Sequence, residues 1–346
     1  MSFQNVVLTV IGGVGYGILS EDGAQLQKIR TPYGSVSYST LQIGPTSEVV
    51  FISRHQGIRH VPPHNINFKA LIKAAQKIGA PILAVNSVGL MRDLPLSENF
   101  GKGRGKGRGK GRGKEAHVTP ETFSDNPFFV PNDFIDFTKN RAGTFYDNET
   151  VHVDMTDPYC TDMRGLLKSV LSDQKISYSE GIYLCTEGPR FETKAEILMF
   201  SQFADVVGMT GVPEVVLAKE AGLCYASLCV ITNPAAGLSQ NMVTVDEVKI
   251  GVEKAQKNVF AIISNLAHVL EARVSESSKG SAKSSSKTIS GSSSERVAES
   301  SSKKIAEGSS KKIAGSSSKK ISKSSSNSKN TAEKCRCKKA IDGGKL

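Results

Sequence analysis

Residues 205–233 read DVVGMTGVPEVVLAKEAGLCYASLCVITN. A short apolar segment leads into a turn with two glycines, VPEVVLAKEAG reads as a helix, and YASLCVITN reads as a strand. Pro213 stands near the first helical position, where its missing N–H leaves no bond unmade. A helix followed at once by a buried strand is the alternation of an α/β protein. The same alternation extends outward. Upstream, VVLTVIGG (6–13) and EVVFIS (48–53) are continuous β-branched runs, as in strands buried on both faces. NFKALIKAAQKIG (67–79) carries apolar residues at helical spacing and ends in Gly79, a C′ glycine, and PILAVNSVG (81–89) is a further buried strand. GLLKSVLSDQ (165–174) and TKAEILMFSQF (193–203) are helices, with the strand and turn EGIYLCTEG (180–188) between them. A long closing helix spans TVDEVKIGVEKAQKNVFAIISNLAHVLEA (244–272), with Thr244 as its N-cap.

Two segments break the pattern. GKGRGKGRGKGRGK at 101–114 contains no apolar residue and cannot fold alone, so residues 99–126 are expected to be a disordered insert in a folded domain. From 274 the chain is Ser/Lys-rich, with SSKKIA, SSKKIA and SSKKIS repeating every eight residues. One Ile per repeat buries too little for a solenoid, so 274–346 is expected to be a disordered tail. The fold class is therefore α/β. One domain spans 1–273, with a central twisted mixed sheet flanked by helices.

The charge of +11 over 346 residues suggests nucleic acid at face value, but its location argues otherwise. Residues 101–115 carry +6 and residues 274–346 carry +11, which leaves the body at −6. The start MSFQNVVLTVIGGVG lacks the basic region of a signal peptide, and no apolar run approaches the ~18 residues of a membrane span. Six cysteines in a chain this long are no secreted disulfide framework. Cys160, Cys185, Cys224 and Cys229 lie in or beside apolar runs and read as reduced core thiols, in keeping with a cytoplasmic setting. Cys335 and Cys337 form a CRC pair in the basic tail.

Polar residues concentrate in loops at strand ends. IGGVG (11–15) could cradle an anion on its backbone N–H groups. It fits neither the dinucleotide nor the Walker spacing. SRHQGIRH (53–60) crowds Arg54, His55, Arg59 and His60 into one loop. That is either a solvated basic loop or a phosphate site with a bidentate Arg fork. No carboxylate or Cys accompanies the histidines, so no metal is expected. Asn86 and Ser87 lie in NSVGLMR (86–92) at the carboxyl end of a strand, where α/β proteins place ligands. Thr210 precedes a helix start, either as a cap or as part of an anion site. TEGPRFETKAE (186–196) sets Arg190, Phe191 and Glu192 side by side after a Gly-Pro turn.

The string GPRFETKAE with DVVGMTGVPEVVLAKEAGLCYASLCVITN closely resembles the purine nucleoside phosphorylases of the trimeric and hexameric type, especially the methylthioadenosine phosphorylase branch. The resemblance covers most of 5–98 and 128–272, and says nothing about the insert or the tail. It implies attack of inorganic phosphate, a co-substrate, on C1′ of a nucleoside, giving free base and pentose 1-phosphate with no metal or organic cofactor. Gly13, Val14, Arg54, His55, Asn86, Ser87 and Thr210 fall on phosphate-loop positions. Met209 falls on a sugar contact and Phe191 on the base-stacking position. Val14 departs from the family's Ser or Thr, and losing such a bond costs roughly 1.5–3 kcal/mol unless the N–H groups of Gly13 and Gly15 replace it. A trimer or dimer of trimers is implied, with sites near subunit interfaces.

Glu192 and Asn233 stand where the methylthioadenosine branch carries Ser and Asp, and Ala235 where it tends to carry a second Asp. This pair resembles the branch acting on inosine and guanosine. Glu192 can accept from N1–H of a 6-oxopurine, and the Asn233 amide can donate to O6 or N7. Donation to the base strengthens as negative charge builds on the departing ring. The plainer alternatives are a salt bridge from Glu192 to Arg190 or Lys194, and a turn role for Asn233 before Pro234. Val245 and Val248 align with the lining of the 5′ pocket and would also admit a methylthio group. The expected function is thus phosphorolysis of inosine and guanosine, with S-methyl-5′-thioinosine or S-methyl-5′-thioadenosine as the alternative substrate. A third reading is a catalytically impaired scaffold that holds nucleic acid through the basic segments.

Overall fold

The computed structural model describes residues 3–13, 26–45, 47–56, 61–96, 117–123 and 127–284, with the backbone alone of 117 and 275–284. Val14, Gly15, Arg59, His60, the 101–114 stretch, the tail beyond 284 and the CRC pair lie outside the described residues.

The strands are β1 (Val6–Gly12), β2 (Gln27–Thr31), β3 (Gly34–Gln42), β4 (Glu48–Ser53), β5 (Ile82–Leu90), β6 (Leu94–Pro95), β7 (His117–Val118), β8 (Phe128–Phe137), β9 (Ser179–Thr186), β10 (Val206–Gly208) and β11 (Tyr225–Pro234). The helices are α1 (Phe68–Ile78), α2 (Thr161–Asp173), α3 (Lys194–Phe200), α4 (Glu214–Glu220) and α5 (Val245–Ser284). Nine strands form one mixed sheet in the order β10-β9-β8-β11-β5-β1-β4-β3-β2. β1 is parallel to β4 and β5, and β5 to β11. β11 is antiparallel to β8. β10 also pairs antiparallel with the end of β5, through Val206 with Leu90 and Val207 with Gly89. The five strands β5, β11, β8, β9 and β10 therefore close into a ring, a feature that local patterning does not foreshadow.

The apolar runs bury both sheet faces because side chains alternate along each strand. Leu8, Val10, Leu83, Val85, Ala226 and Leu228 meet α2 and α5 on one face. Ile11, Ile52, Ile82, Ala84 and Ile231 meet α1 and α4 on the other. α5 presents Val252, Ala255, Val259, Ile262, Ile263 and Leu266 at three- and four-residue steps, all nearly inaccessible. α1 ends where Gly79 takes a left-handed φ of 82° and its N–H bonds to Ala75 O.

Two boundaries differ from the sequence reading. Residues 117–123 do not belong to the insert: β7 pairs with β6, and Val118 is fully buried. A two-residue strand is too short to show a period, and its basic neighbours hide it. α5 continues to Ser284, ten residues past the expected start of the tail at 274. Once a helix is nucleated by packing, each further residue adds a backbone bond, so the helix runs on past the apolar period. Pro213 lies at the N-cap of α4 rather than inside it.

Candidate functional site

The parallel strands β1, β4 and β5 bring their carboxyl ends together. Arg54 N–H bonds to Gly12 O at 2.9 Å, which sets Gly13 beside Arg54 and His55. A cavity of about 420 Å³ opens there, and Gly13, Arg54, His55, Ser87 and Thr210 line it at one end. Phe191, Glu192, Met209, Asn233, Ala235, Val245 and Val248 line the same cavity. Residues dispersed from 13 to 248 thus converge on one cavity. Among the sequence-expected residues only Asn86 stays behind the wall and Val14 lies outside the described residues.

Asn86, expected at phosphate, does not line this cavity as the other described expected residues do. It is buried, its Nδ2 donates to Ser227 Oγ at 2.7 Å, and its Oδ1 accepts from Thr210 Oγ1 at 3.0 Å. On a strand buried on both faces, one of two consecutive polar residues must point away from the cavity; Ser87 faces it and Asn86 does not. Thr210 is no helix cap, since its hydroxyl goes to Asn86 and its N–H to Tyr183 Oη at 3.3 Å. The Tyr183 oxygen also accepts from Gly211 N–H at 3.1 Å. Gly208 and Gly211 press on the Tyr183 side chain so closely that a β-carbon would lie 2.7 Å from its hydroxyl at Gly208 and 2.7 Å from its ring at Gly211.

Arg54 is fully buried and gripped by a residue that sequence reasoning missed. Its Nε donates to Glu214 Oε2 at 2.7 Å and its Nη2 to Glu214 Oε1 at 2.8 Å, while Nη1 donates to Val85 O at 2.6 Å. Tyr225 Oη also donates to Glu214 Oε1, at 2.9 Å. Burial pulls the guanidinium pKa down, but the charge and hydrogen bonds of Glu214 outweigh it, so Arg54 stays above the ordinary arginine value. The available signal was a lone acid among apolar residues in VPEVVLA, which reads equally well as a solvated helix position. His55 Nδ1 lies 2.6 Å from Val61 O, so that nitrogen carries a proton.

The salt-bridge alternative for Glu192 fails. Arg190 turns outward and makes a two-pronged pair with Glu196, at 2.7 and 2.8 Å. Hydrogen bonds from Arg190 and from Thr193 N–H hold Glu196 down at about 2. Glu196 also closes a capping box with Thr193, which starts α3 immediately after Glu192. Glu192 is turned into the cavity wall, where Thr186 Oγ1 donates to its Oε1 at 2.6 Å. Burial raises its pKa, and the Thr186 bond offsets part of the rise. Arg141 secures the strand leading to this turn by donating to Glu187 O at 2.7 Å and Val212 O at 2.6 Å.

Asn233 follows a register shift in β11, where Ile231 faces Val88 and Asn233 faces Gly89. Thr232 is the extra residue, and such bulges re-aim the next side chain. Thr232 Oγ1 donates to Asn233 Oδ1 at 2.9 Å, and Asn233 Nδ2 donates to Pro234 O at 2.8 Å. That fixes which end of the amide is NH₂ and leaves one of its two N–H donors for a ligand. The four core cysteines are free thiols, and burial pushes Cys185 up to about 11 and Cys229 to about 12. Among the described residues no group of three or more His, Cys, Asp or Glu could hold a metal ion, and no helix is long and apolar enough to cross a membrane.

Residues 122–268 match the model of the phosphorylase superfamily. The chain is 45% identical over 259 residues to a probable S-methyl-5′-thioinosine phosphorylase of Methanosarcina acetivorans, covering 75% of this chain and 88% of that one. It is 34% identical to the 6-oxopurine nucleoside phosphorylase of Pyrococcus furiosus, covering 74% and 90%. Among solved structures, methylthioadenosine phosphorylase from Schistosoma mansoni in complex with adenine is similar at a TM-score of 0.63 and 25% identity, covering 77% of this chain and 92% of that one.

Proposed function

Because this chain belongs to the phosphorylase superfamily, we propose that it cleaves 6-oxopurine nucleosides with inorganic phosphate, and that an apolar 5′ end, as in S-methyl-5′-thioinosine, suits its cavity best. It is a pentosyltransferase of the purine nucleoside phosphorylase type. The observation that carries the base preference is the Glu192 carboxylate, held at the cavity by Thr186 while Arg190 is occupied elsewhere. It is an acceptor for N1–H of hypoxanthine or guanine. Adenine would present a lone pair there, and mismatched buried polar groups cost several powers of ten.

In the reaction, phosphate sits at the Gly13–Arg54–His55 end. The remaining N–H donors of Arg54 hold it, with Ser87 beside them, and Thr210 joins by swinging its hydroxyl from Asn86 to the anion. Phe191 packs on the base and Met209 on the sugar. The C1′–N9 bond breaks as a phosphate oxygen bonds to C1′, through an oxocarbenium-like state. Asn233 gives its remaining N–H to N7 or O6 as the electron pair moves onto the purine, so that contact strengthens in the transition state. Catalysis is mainly positioning of two ground-state partners. No metal or organic cofactor takes part in this reading, and a reducing cytoplasm suits its free thiols.

Val243, Val245 and Val248 line the cavity, and in this reading they meet the 5′ substituent. None of the three can bond a 5′-hydroxyl, whereas a methylthio group gains apolar contact worth about 0.8 kcal/mol per buried CH₂ equivalent. The relatives named as 6-oxopurine phosphorylases favour inosine and guanosine as the second reading. The test is base release from methylthioinosine, inosine, guanosine, adenosine and methylthioadenosine, with and without phosphate. Phosphate-dependent release of hypoxanthine, fastest from methylthioinosine, with both adenine nucleosides inert, is the expected outcome. Faster release from methylthioadenosine than from methylthioinosine would refute the Glu192 argument.

A further inference from the structure

Arg54 is among the largest fully buried side chains of the described residues, and its charge is matched by Glu214, whose carboxylate is equally inaccessible. A guanidinium has five N–H donors. Glu214 takes one from Nε and one from Nη2, and Val85 O takes one from Nη1, so two remain, one on each terminal nitrogen. Of the two terminal nitrogens, Nη1 lies toward Gly13: a β-carbon placed there would stand 3.8 Å from Nη1 and 4.0 Å from His55 Nε2. The missing Gly13 side chain therefore leaves open the space that Nη1 shares with His55.

Glu214 is itself anchored. It is the first residue of α4, directly after the turn that carries Thr210, and Tyr225 Oη from the start of β11 bonds to the same Oε1 that receives Nη2. A two-pronged carboxylate–guanidinium pair fixes the plane of both groups.

We propose that Glu214, anchored by Tyr225, is a positioning residue for phosphate: it fixes the guanidinium plane of Arg54 so that Nη1, with its remaining donor, stays at the space beside Gly13. Glu214 never touches phosphate. It supplies the counter-charge that lets an arginine stay buried before the anion arrives, and it couples the α4 turn to the phosphate end of the cavity. The proposal rests on the phosphorylase reading above.

The test uses the full chain and compares wild type with Glu214→Gln and Tyr225→Phe. KM for phosphate, KM for nucleoside and kcat are measured, together with the phosphate-induced rise in Tm without nucleoside. Glu214→Gln is expected to raise the phosphate KM by about tenfold or more, since one charge-assisted bond of the pair is lost and the plane is freed. The nucleoside KM should stay within about twofold, and the Tm response to phosphate should shrink in parallel. Tyr225→Phe keeps the ion pair and should show the same split at about two- to fivefold. Should Glu214→Gln not fold, Tyr225→Phe decides alone. A folded variant with unchanged phosphate KM, or with both KM values rising together, would overturn the positioning role. Wild type that shows neither phosphate-dependent base release nor a phosphate-induced Tm rise would instead sink the phosphorylase reading. Wild-type activity with insensitive variants sinks the positioning role alone.

Discussion

Burial lifts the Glu192 carboxyl above the usual glutamate range, and the Thr186 hydroxyl pulls part of that rise back. The carboxylate form is the one that accepts from N1–H, so activity on 6-oxopurine nucleosides must fall as pH drops through this raised pKa. Thr186→Val removes the lowering contribution, so the acid limb of kcat/KM on inosine should move to higher pH; coincident limbs for the two proteins would reject Glu192 as the titrating group. At the phosphate end, Gly13→Ala adds a methyl group where Arg54 and His55 face each other. A raised phosphate KM with an unchanged Tm is expected, and an unchanged KM would place the anion elsewhere. Glu192 and Asn233 were singled out together because donors and acceptors must match a base, and the structure brings both to one cavity. Asn86 and Ser87 look alike in the sequence, and only the structure shows Asn86 bonded to Ser227 and Thr210. Glu214 was invisible because its partner lies 160 residues away.

The first turn of α5 stands between two cavities. Val245 and Val248 face the site, while Thr244, Asp246, Glu247 and Ile250 face a second cavity of about 500 Å³. With open space on both sides, little packing holds this turn, and its cap matters more. Glu247 N–H donates to Thr244 Oγ1 at 3.2 Å, as the sequence reading expected. Thr244→Ala should cost about 1 kcal/mol of stability. It should also raise the KM for a 5′-methylthio substrate more than the KM for phosphate. Equal effects on both would mean that the turn is not a wall of the 5′ pocket. The helices and strands were legible because their apolar periods are long. β6 and β7, at two residues each, carry no period, and the bulge at Thr232 has no local signature at all.

At the scale of the whole molecule, α3 and the residues after it expose Leu198, Met199 and Phe203, and Phe137 beside them is also exposed. Exposed apolar residues of this kind are what an assembly would cover. They support the assembly expected from the family resemblance, in which copies of the chain meet near their sites. Sedimentation of the full chain should give a trimer or hexamer, and Leu198→Glu should shift it toward monomer. A monomeric wild type would refute the assembly.

The sequence by itself determined the α/β class, the two-faced sheet and the reaction type. Those rest on periodic burial and on a contiguous motif, both of which are local. The closed ring of strands, the convergence of residues 13 to 248 on one cavity and the grip of Glu214 on Arg54 were decided only by tertiary structure. Their physical cause is that strand partners and buried counter-charges are chosen in space. A carboxylate far along the chain can neutralise a guanidinium only after the sheet has brought β4, α4 and β11 together.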